Sequence, residues 1–247
     1  MRTKLLVLAA ALAPVAAFAA GGGGAHLDQA NNDITNKASL QRGASNFVNY
    51  CLGCHSAKYV RYNRMAADIG LTEQQLIDNL MFTAESPHDT MRIGINADDA
   101  KRWFGVVPPD LSLMARSRGT DYIYTFLRSF YADPAKATGS NNLVLPGTAM
   151  PHVLWELQGV QEAVWAGEPN AQGDVSHEFK EFRLATPGKL TAEEYDAFVR
   201  DTVNFLEYMA EPAQLQRRSL GFPVIAFLVF FTLLAWALKK EYWKDVK

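Results

Sequence analysis

Cysteine is scarce: the 247 residues contain two, Cys51 and Cys54. A framework of several disulfides is thereby excluded. Glycines cluster in one place, Gly21 to Gly24, without the spacing of a phosphate-binding loop, so that run reads as a flexible linker. Internal repeats are missing, and strand-like alternation of apolar and polar residues is thin. Basic residues are nearly absent from one acidic stretch, where Glu156, Glu162, Glu168, Asp174, Glu178 and Glu181 are accompanied by Lys180 alone. That stretch does not suit nucleic acid; it suits a basic partner or a solvated surface.

The two ends carry long apolar runs. Arg2 and Lys4, an apolar stretch from Leu5 and the triplet Ala17-Phe18-Ala19 have the anatomy of a secretory signal peptide, with cleavage after Ala19 or Ala20. Pro14 and the small residues behind it fit an uncleaved membrane helix less well, and an Arg- and Ser-rich transit pattern is lacking. A bacterial periplasm is therefore expected. Gly221 to Leu238 runs eighteen residues without a charge, long enough to cross a hydrocarbon core, and Trp236, Tyr242 and Trp243 stand where interfacial aromatics belong. The lysines at 239, 240, 244 and 247, with the exported leader, place the C-terminus in the cytoplasm, although Arg217 and Arg218 flank the other side. Between the two ends lie roughly 200 residues, enough for one domain with a core. The formal charge is −2 overall and −6 over residues 20 to 238.

Helical spacing recurs between these ends. Thr72 with Gln75 forms a capping box before Leu76, Ile77 and Leu80. Asp121 precedes the stripe Ile123, Phe126, Leu127 and Phe130, which Pro134 stops. Thr191 with Glu194 forms a second capping box ahead of Tyr195, Phe198, Val199, Thr202, Phe205 and Leu206, and Pro212 ends that helix. The expected fold is mainly α with long loops, plus one C-terminal transmembrane helix. Its parts are a signal peptide over 1–20, a flexible segment over 21–36, a periplasmic domain over 37–212, an anchor over 219–240 and a cytoplasmic tail over 241–247.

Both cysteines fall in Cys51-Leu52-Gly53-Cys54-His55. This is the c-type haem attachment pattern: two thiols within one helical turn can each add to a vinyl group, and the next imidazole reaches the iron. A thioredoxin-like redox pair would need a βαβ setting that is not visible, and a disulfide closing so short a loop would stabilise little. A sixth ligand is required for an electron carrier, and a thioether there raises the potential. The methionines at 65, 81, 91, 114, 150 and 209 are available. Met81 and Met209 sit in helical patterns, where methionine usually fills core. Met150 lies in the irregular Leu145-Pro146-Gly147-Thr148-Ala149-Met150-Pro151-His152 and is the first choice, with Met114 and Met91 next. His152 is an alternative, while His88 and His177 read as surface residues.

Four ordered segments resemble the cytochrome c1 family, the haem subunit of the ubiquinol:cytochrome c oxidoreductase complex. They are Cys51 to Tyr62, Val107 to Gly119 with Asp121 to Leu127, Leu145 to Pro151, and Met209-Ala-Glu-Pro-Ala before the anchor. The resemblance runs from about residue 40 to the end. It implies one haem c attached through Cys51 and Cys54, axial ligands His55 and Met150, and a propionate contact by Arg118, with Arg116 the nearest rival. It also implies a cytochrome b subunit, a Rieske iron-sulfur protein as donor, a soluble cytochrome c as acceptor, and no acid or base catalyst in this chain. Pro108, Pro109 and Asp110 are expected to shape a loop beside the haem edge. Two departures stand out: a single Pro151 and then His152 replace a richer proline run, and the segment before Val107 is short beside mitochondrial relatives. Rival readings are another anchored monohaem cytochrome feeding an oxidase or dehydrogenase, and an anchored thiol-disulfide protein.

Overall fold

The computed structural model of the chain describes residues 26–166 and 178–245. The expected signal peptide, the glycine run and the part of the acidic stretch with Glu168, Asp174 and His177 lie outside these residues. Helix α1 (Lys37–Asn46) starts where the Asn36 side chain accepts from the Ser39 amide, and it widens without a break into a π turn, Phe47–Cys51. Strand β1 (Ala57–Arg61) pairs irregularly with β2 (Thr90–Met91). Between them lie α2 (Tyr62–Ile69) and α3 (Glu73–Asn79). Helices α4 (Ala97–Phe104), α5 (Met114–Arg118) and α6 (Thr120–Arg128) follow. A short ribbon then pairs β3 (Phe130–Ala132) with β4 (Ser140–Asn142). After α7 (Trp155–Gln158), β5 (Gly159–Ala166) and β6 (Glu178–Pro187) form an antiparallel hairpin. Helices α8 (Ala192–Ala210) and α9 (Gln214–Tyr242) complete the chain.

Both capping boxes are formed, at Thr72–Gln75 and Thr191–Glu194. Each satisfies amides that a helix start leaves open. Leu76 and Leu80 are buried, whereas Ile77 faces outward. On α8, Tyr195, Val199, Thr202, Phe205 and Leu206 are buried, and the helix ends at Ala210, just before Pro212.

The core is centred on α1 crossing α8. Gly43 allows the approach: a Cβ there would stand 2.1 Å from the Asp201 carbonyl oxygen and 2.7 Å from the Phe205 Cβ. Phe47 and Phe205 pack with ring centroids 5.7 Å apart. The polar groups trapped in the crossing satisfy one another. Ser39 donates to the Asp201 carboxylate at 2.6 Å, Asn204 donates to Ser39 at 2.9 Å, and Arg42 makes two bonds to the same carboxylate. Since α1 runs directly into the Cys51–His55 turn, this crossing fixes where that turn sits.

Three expectations need correction. The segment 21–36, expected to be flexible, is tied down from residue 26: the amides of Asp28 and Ala30 donate to Thr125 and Asp121, and Ala30 and Ile34 are buried. Helix α6 stops at Arg128, and Phe130 belongs to β3. Its last carbonyls are taken by side chains, Phe126 by Asn142 and Arg128 by Gln158 and Gln161, in place of another helical turn. The described residues of the acidic stretch fall mostly in the β5–β6 hairpin. Tyr131, Trp165, Phe179 and Phe182 cluster on it, with Phe179 and Phe182 centroids 4.6 Å apart.

Helix α9 contains the expected anchor. Its mean hydropathy reaches 2.3, and along 29 residues only Gln214 is buried against the rest of the chain. A helix that long spans about 43 Å at 1.5 Å per residue, more than a hydrocarbon core. Apolar side chains left uncovered over that length are matched to lipid.

Candidate cofactor site

The Cys51–His55 turn leaves the π turn through two bonds to one carbonyl: the amides of Cys54 and His55 donate to Cys51 O at 3.0 and 2.9 Å. Both thiols are free and partly buried. Burial, aided by the neighbouring Cys54, pushes the Cys51 thiol up to about 12. A redox-active pair relies on a depressed thiol instead, so this setting disfavours the thiol-disulfide reading.

His55 is oriented by the backbone. Its Nδ1 lies 2.7 Å from the Pro109 carbonyl oxygen, which can only accept, so Nδ1 carries the proton and Nε2 keeps its lone pair for a metal. Burial lowers the imidazole pKa, against the raising influence of the Pro109 carbonyl and Asp110. The ring is thus held neutral, the form that ligates.

Residues 109–112 lie along the chain that follows the haem motif. The Leu111 amide donates to Ser56 O at 2.8 Å, the Lys58 amide to the Asp110 carboxylate at 3.0 Å, and the Tyr59 amide to the Ser112 hydroxyl at 3.1 Å. The loop of Pro108, Pro109 and Asp110 thus has a definite task, orienting His55. Sequence reading missed it because a carbonyl belongs to every residue type; the proline pair before Asp110 was the available signal.

The methionines separate by setting. Met65, Met91 and Met209 are fully or almost fully buried in the core. Met81 packs against its edge, and Met114 sits on α5 with its sulfur 3.9 Å from the Ser117 hydroxyl. Met150 is outside any helix or strand, partly buried, and packs against the hydrophobic cluster that Cys51 also borders. His152 stacks on Phe130, with centroids 5.0 Å apart and planes 3° from parallel, and burial pushes its imidazole down to about 4. Arg118 is exposed, its guanidinium 5.5 Å from the Tyr122 ring centroid. Arg116 is exposed as well, and among the described residues neither arginine has an ion pair. A separate cavity of about 470 Å³ is lined by Tyr131, Ser140, Pro151, His152, Trp155 and Gln161, among others, and includes none of Cys51, Cys54, His55 or Met150.

Two thiols and a neutral imidazole in one turn, with a thioether at the margin of the same cluster, are the donor set that a haem requires. Joined to a mainly helical domain with one long apolar helix, they define a membrane-anchored cytochrome. A model of the Cytochrome C1 family matches residues 29–163 and 188–246. The unmatched stretch between them takes in the end of β5 and all of β6. The chain is 50% identical over the full length of both proteins to cytochrome c1 of Allochromatium vinosum. It is 45% identical over 98% of each chain to a Nitrosomonas europaea protein named ammonia monooxygenase gamma subunit. With cytochrome c1 of Rhodospirillum rubrum it shares 30% over 84% of this chain and 82% of the relative. The chain belongs to the cytochrome c1 family, and its cofactor is a haem.

Proposed function

We infer that this chain is the electron-transfer subunit of a ubiquinol:cytochrome c oxidoreductase, holding one haem c through thioether bonds to Cys51 and Cys54 with His55 and Met150 as axial ligands. The observation that carries the reading is the Cys51–His55 turn with His55 aimed by the Pro109 carbonyl, in a chain of this family from end to end. Bound there, the haem supplies a one-electron couple. The protein's own residues hold and tune it. His55 offers a neutral Nε2, Met150 offers a thioether that favours a high potential, and Arg118 is free to meet a propionate, with Arg116 beside it.

Helix α9 anchors the domain in the lipid bilayer. The leader and the lysines after Leu238 favour a periplasmic domain and a cytoplasmic C-terminus in a bacterial inner membrane. The partners are a cytochrome b subunit, a Rieske iron-sulfur protein as donor and a soluble cytochrome c as acceptor. Proton chemistry on quinol belongs to the cytochrome b partner, so no group in this chain acts as acid or base. The name of the Nitrosomonas relative favours a second reading, attachment to a monooxygenase. Mild detergent extraction, a reduced-minus-oxidised spectrum and identification of co-purifying chains separate the two. Cytochrome b and a Rieske protein are expected; monooxygenase chains in their place would overturn the assignment, and a colourless protein would end the cytochrome reading.

A further inference from the structure

Strand β4 is three polar residues, Ser140, Asn141 and Asn142, all buried. Polar side chains so placed hold a definite set of partners, and here those partners lie in the loop that carries Met150. Asn142, fully shielded from solvent, accepts from the amides of Val144 and Leu145 at 2.9 and 3.1 Å and from the Ser129 hydroxyl at 3.2 Å. Its amide nitrogen donates to the Phe126 carbonyl at 2.8 Å. One side chain therefore joins the end of α6 to the start of the loop. Asn141 accepts from the Gly147 amide at 2.8 Å and is itself fixed by a 2.9 Å bond to Asp133. Ser140 accepts from the His152 amide at 3.2 Å, two residues past Met150. Between these points the loop supports itself: Thr148 N donates to Leu145 O, and Met150 N to the Thr148 hydroxyl.

The loop thus leaves β4 and is brought back to it, pinned at four amides before Met150 and after it by side chains of three consecutive residues. His152 adds its stacking on Phe130, the residue opposite Asn142 in the ribbon. A thioether is a neutral, weak-field donor on a flexible side chain, so its presentation depends on how firmly the backbone behind it is held. We propose that Ser140, Asn141 and Asn142 form a clamp that positions the Met150 thioether, with Asn142 its principal member. They are positioning residues that act through the loop backbone. The inference rests on Met150 being the axial ligand.

The test uses the full chain with its haem in detergent. Three readouts are followed: carbon monoxide binding in the reduced state, the thioether-to-iron charge-transfer band of the oxidised state, and the reduction potential. Asn142→Ala is compared with Met150→Leu and with Thr72→Ala. Thr72 caps the start of α3 through its bonds with Gln75, outside this loop and outside the α1–α8 crossing.

The expected result for Asn142→Ala is weakening of the band, carbon monoxide binding that the parent lacks, and a potential lowered enough to shift electron exchange at least tenfold, about 59 mV for a one-electron couple. Asn142→Asp keeps the acceptor used by Val144 and Leu145 and should restore most of the signature. Thr72→Ala should lower thermal stability, by loss of a helix cap, while leaving all three readouts unchanged. If Met150→Leu opens the iron and Asn142→Ala does not, the clamp is wrong. If Met150→Leu itself changes nothing, the ligand assignment falls first. Should Asn142→Ala yield no haem protein, Ser140→Ala and Asn141→Ala carry the test, each removing one pin, and parent-like behaviour in both overturns the proposal.

Discussion

Replacing Gly43 by alanine tests the α1–α8 crossing, and two opposing effects fix the size of the result. Alanine is favoured over glycine in a helix interior by about 1 kcal/mol. Against this, the added Cβ would lie 2.1 Å from the Asp201 carbonyl oxygen and 2.7 Å from the Phe205 Cβ. Non-bonded contacts settle near about 3.5 Å, so the helices would have to part by roughly 1 Å or more. Overpacking of this kind costs about 1–3 kcal/mol, and a clash with backbone, which has no rotamer to change, belongs at the upper end. The net expectation is about 2 kcal/mol of destabilisation, or about 4–8 °C in Tm for a domain of this size. The assay is thermal unfolding of the haem-loaded chain in detergent, followed by both far-ultraviolet circular dichroism and haem absorbance. Both signals should shift together, because α1 continues into the Cys51–His55 turn. Gly94→Ala, where a Cβ meets open space, serves as the control. A Gly43→Ala protein as stable as the parent, or more so, would mean that propensity outweighs the clash and that the crossing is looser than described.

Cys51→Ala and Cys54→Ala should each cut covalently retained haem sharply, read as haem stain on a denaturing gel; undiminished stain in the double variant would contradict thioether attachment. Met150→Leu should cost less than about 1.5 kcal/mol in packing, yet lower the potential and admit carbon monoxide to the reduced iron. Truncation after Arg218 should release a soluble, coloured domain, since among the residues of α9 only Gln214 is buried; a secreted fragment that takes up no haem would refute that independence.

The parts of the fold legible in sequence are those written within a few residues. A capping box needs four positions and the anchor one unbroken apolar run; both capping boxes and the long apolar helix formed as the residues suggested. The rest depends on partners far along the chain. Helix α6 stops because Asn142, Gln158 and Gln161 claim its last carbonyls. The residues before α1 are ordered because Asp121 and Thr125 receive their amides. Hairpin β5–β6 escaped notice because its acidic residues mask a weak alternation around Val160, Val164 and Trp165. At the candidate site the five-residue motif and the proline-bounded methionine segment stand out in sequence, whereas the groups that hold them, a carbonyl at Pro109 and the buried side chains of β4, look like ordinary loop residues until the chain is folded.

Because a main-chain oxygen aims His55, the imidazole's orientation is insulated from the genetic alphabet. Any side chain at position 109 supplies the same acceptor, provided the chain follows the same path. A substitution scan at that position would therefore register little through the acceptor itself and would report mainly on the shape of the turn. Changes that slide residues 109–112 along the Ser56–Tyr59 backbone would move the imidazole without altering His55 itself. Asp110 and Ser112, which fasten that path, are where inherited variation could turn the His55 ring while leaving the Cys51–His55 motif itself unchanged.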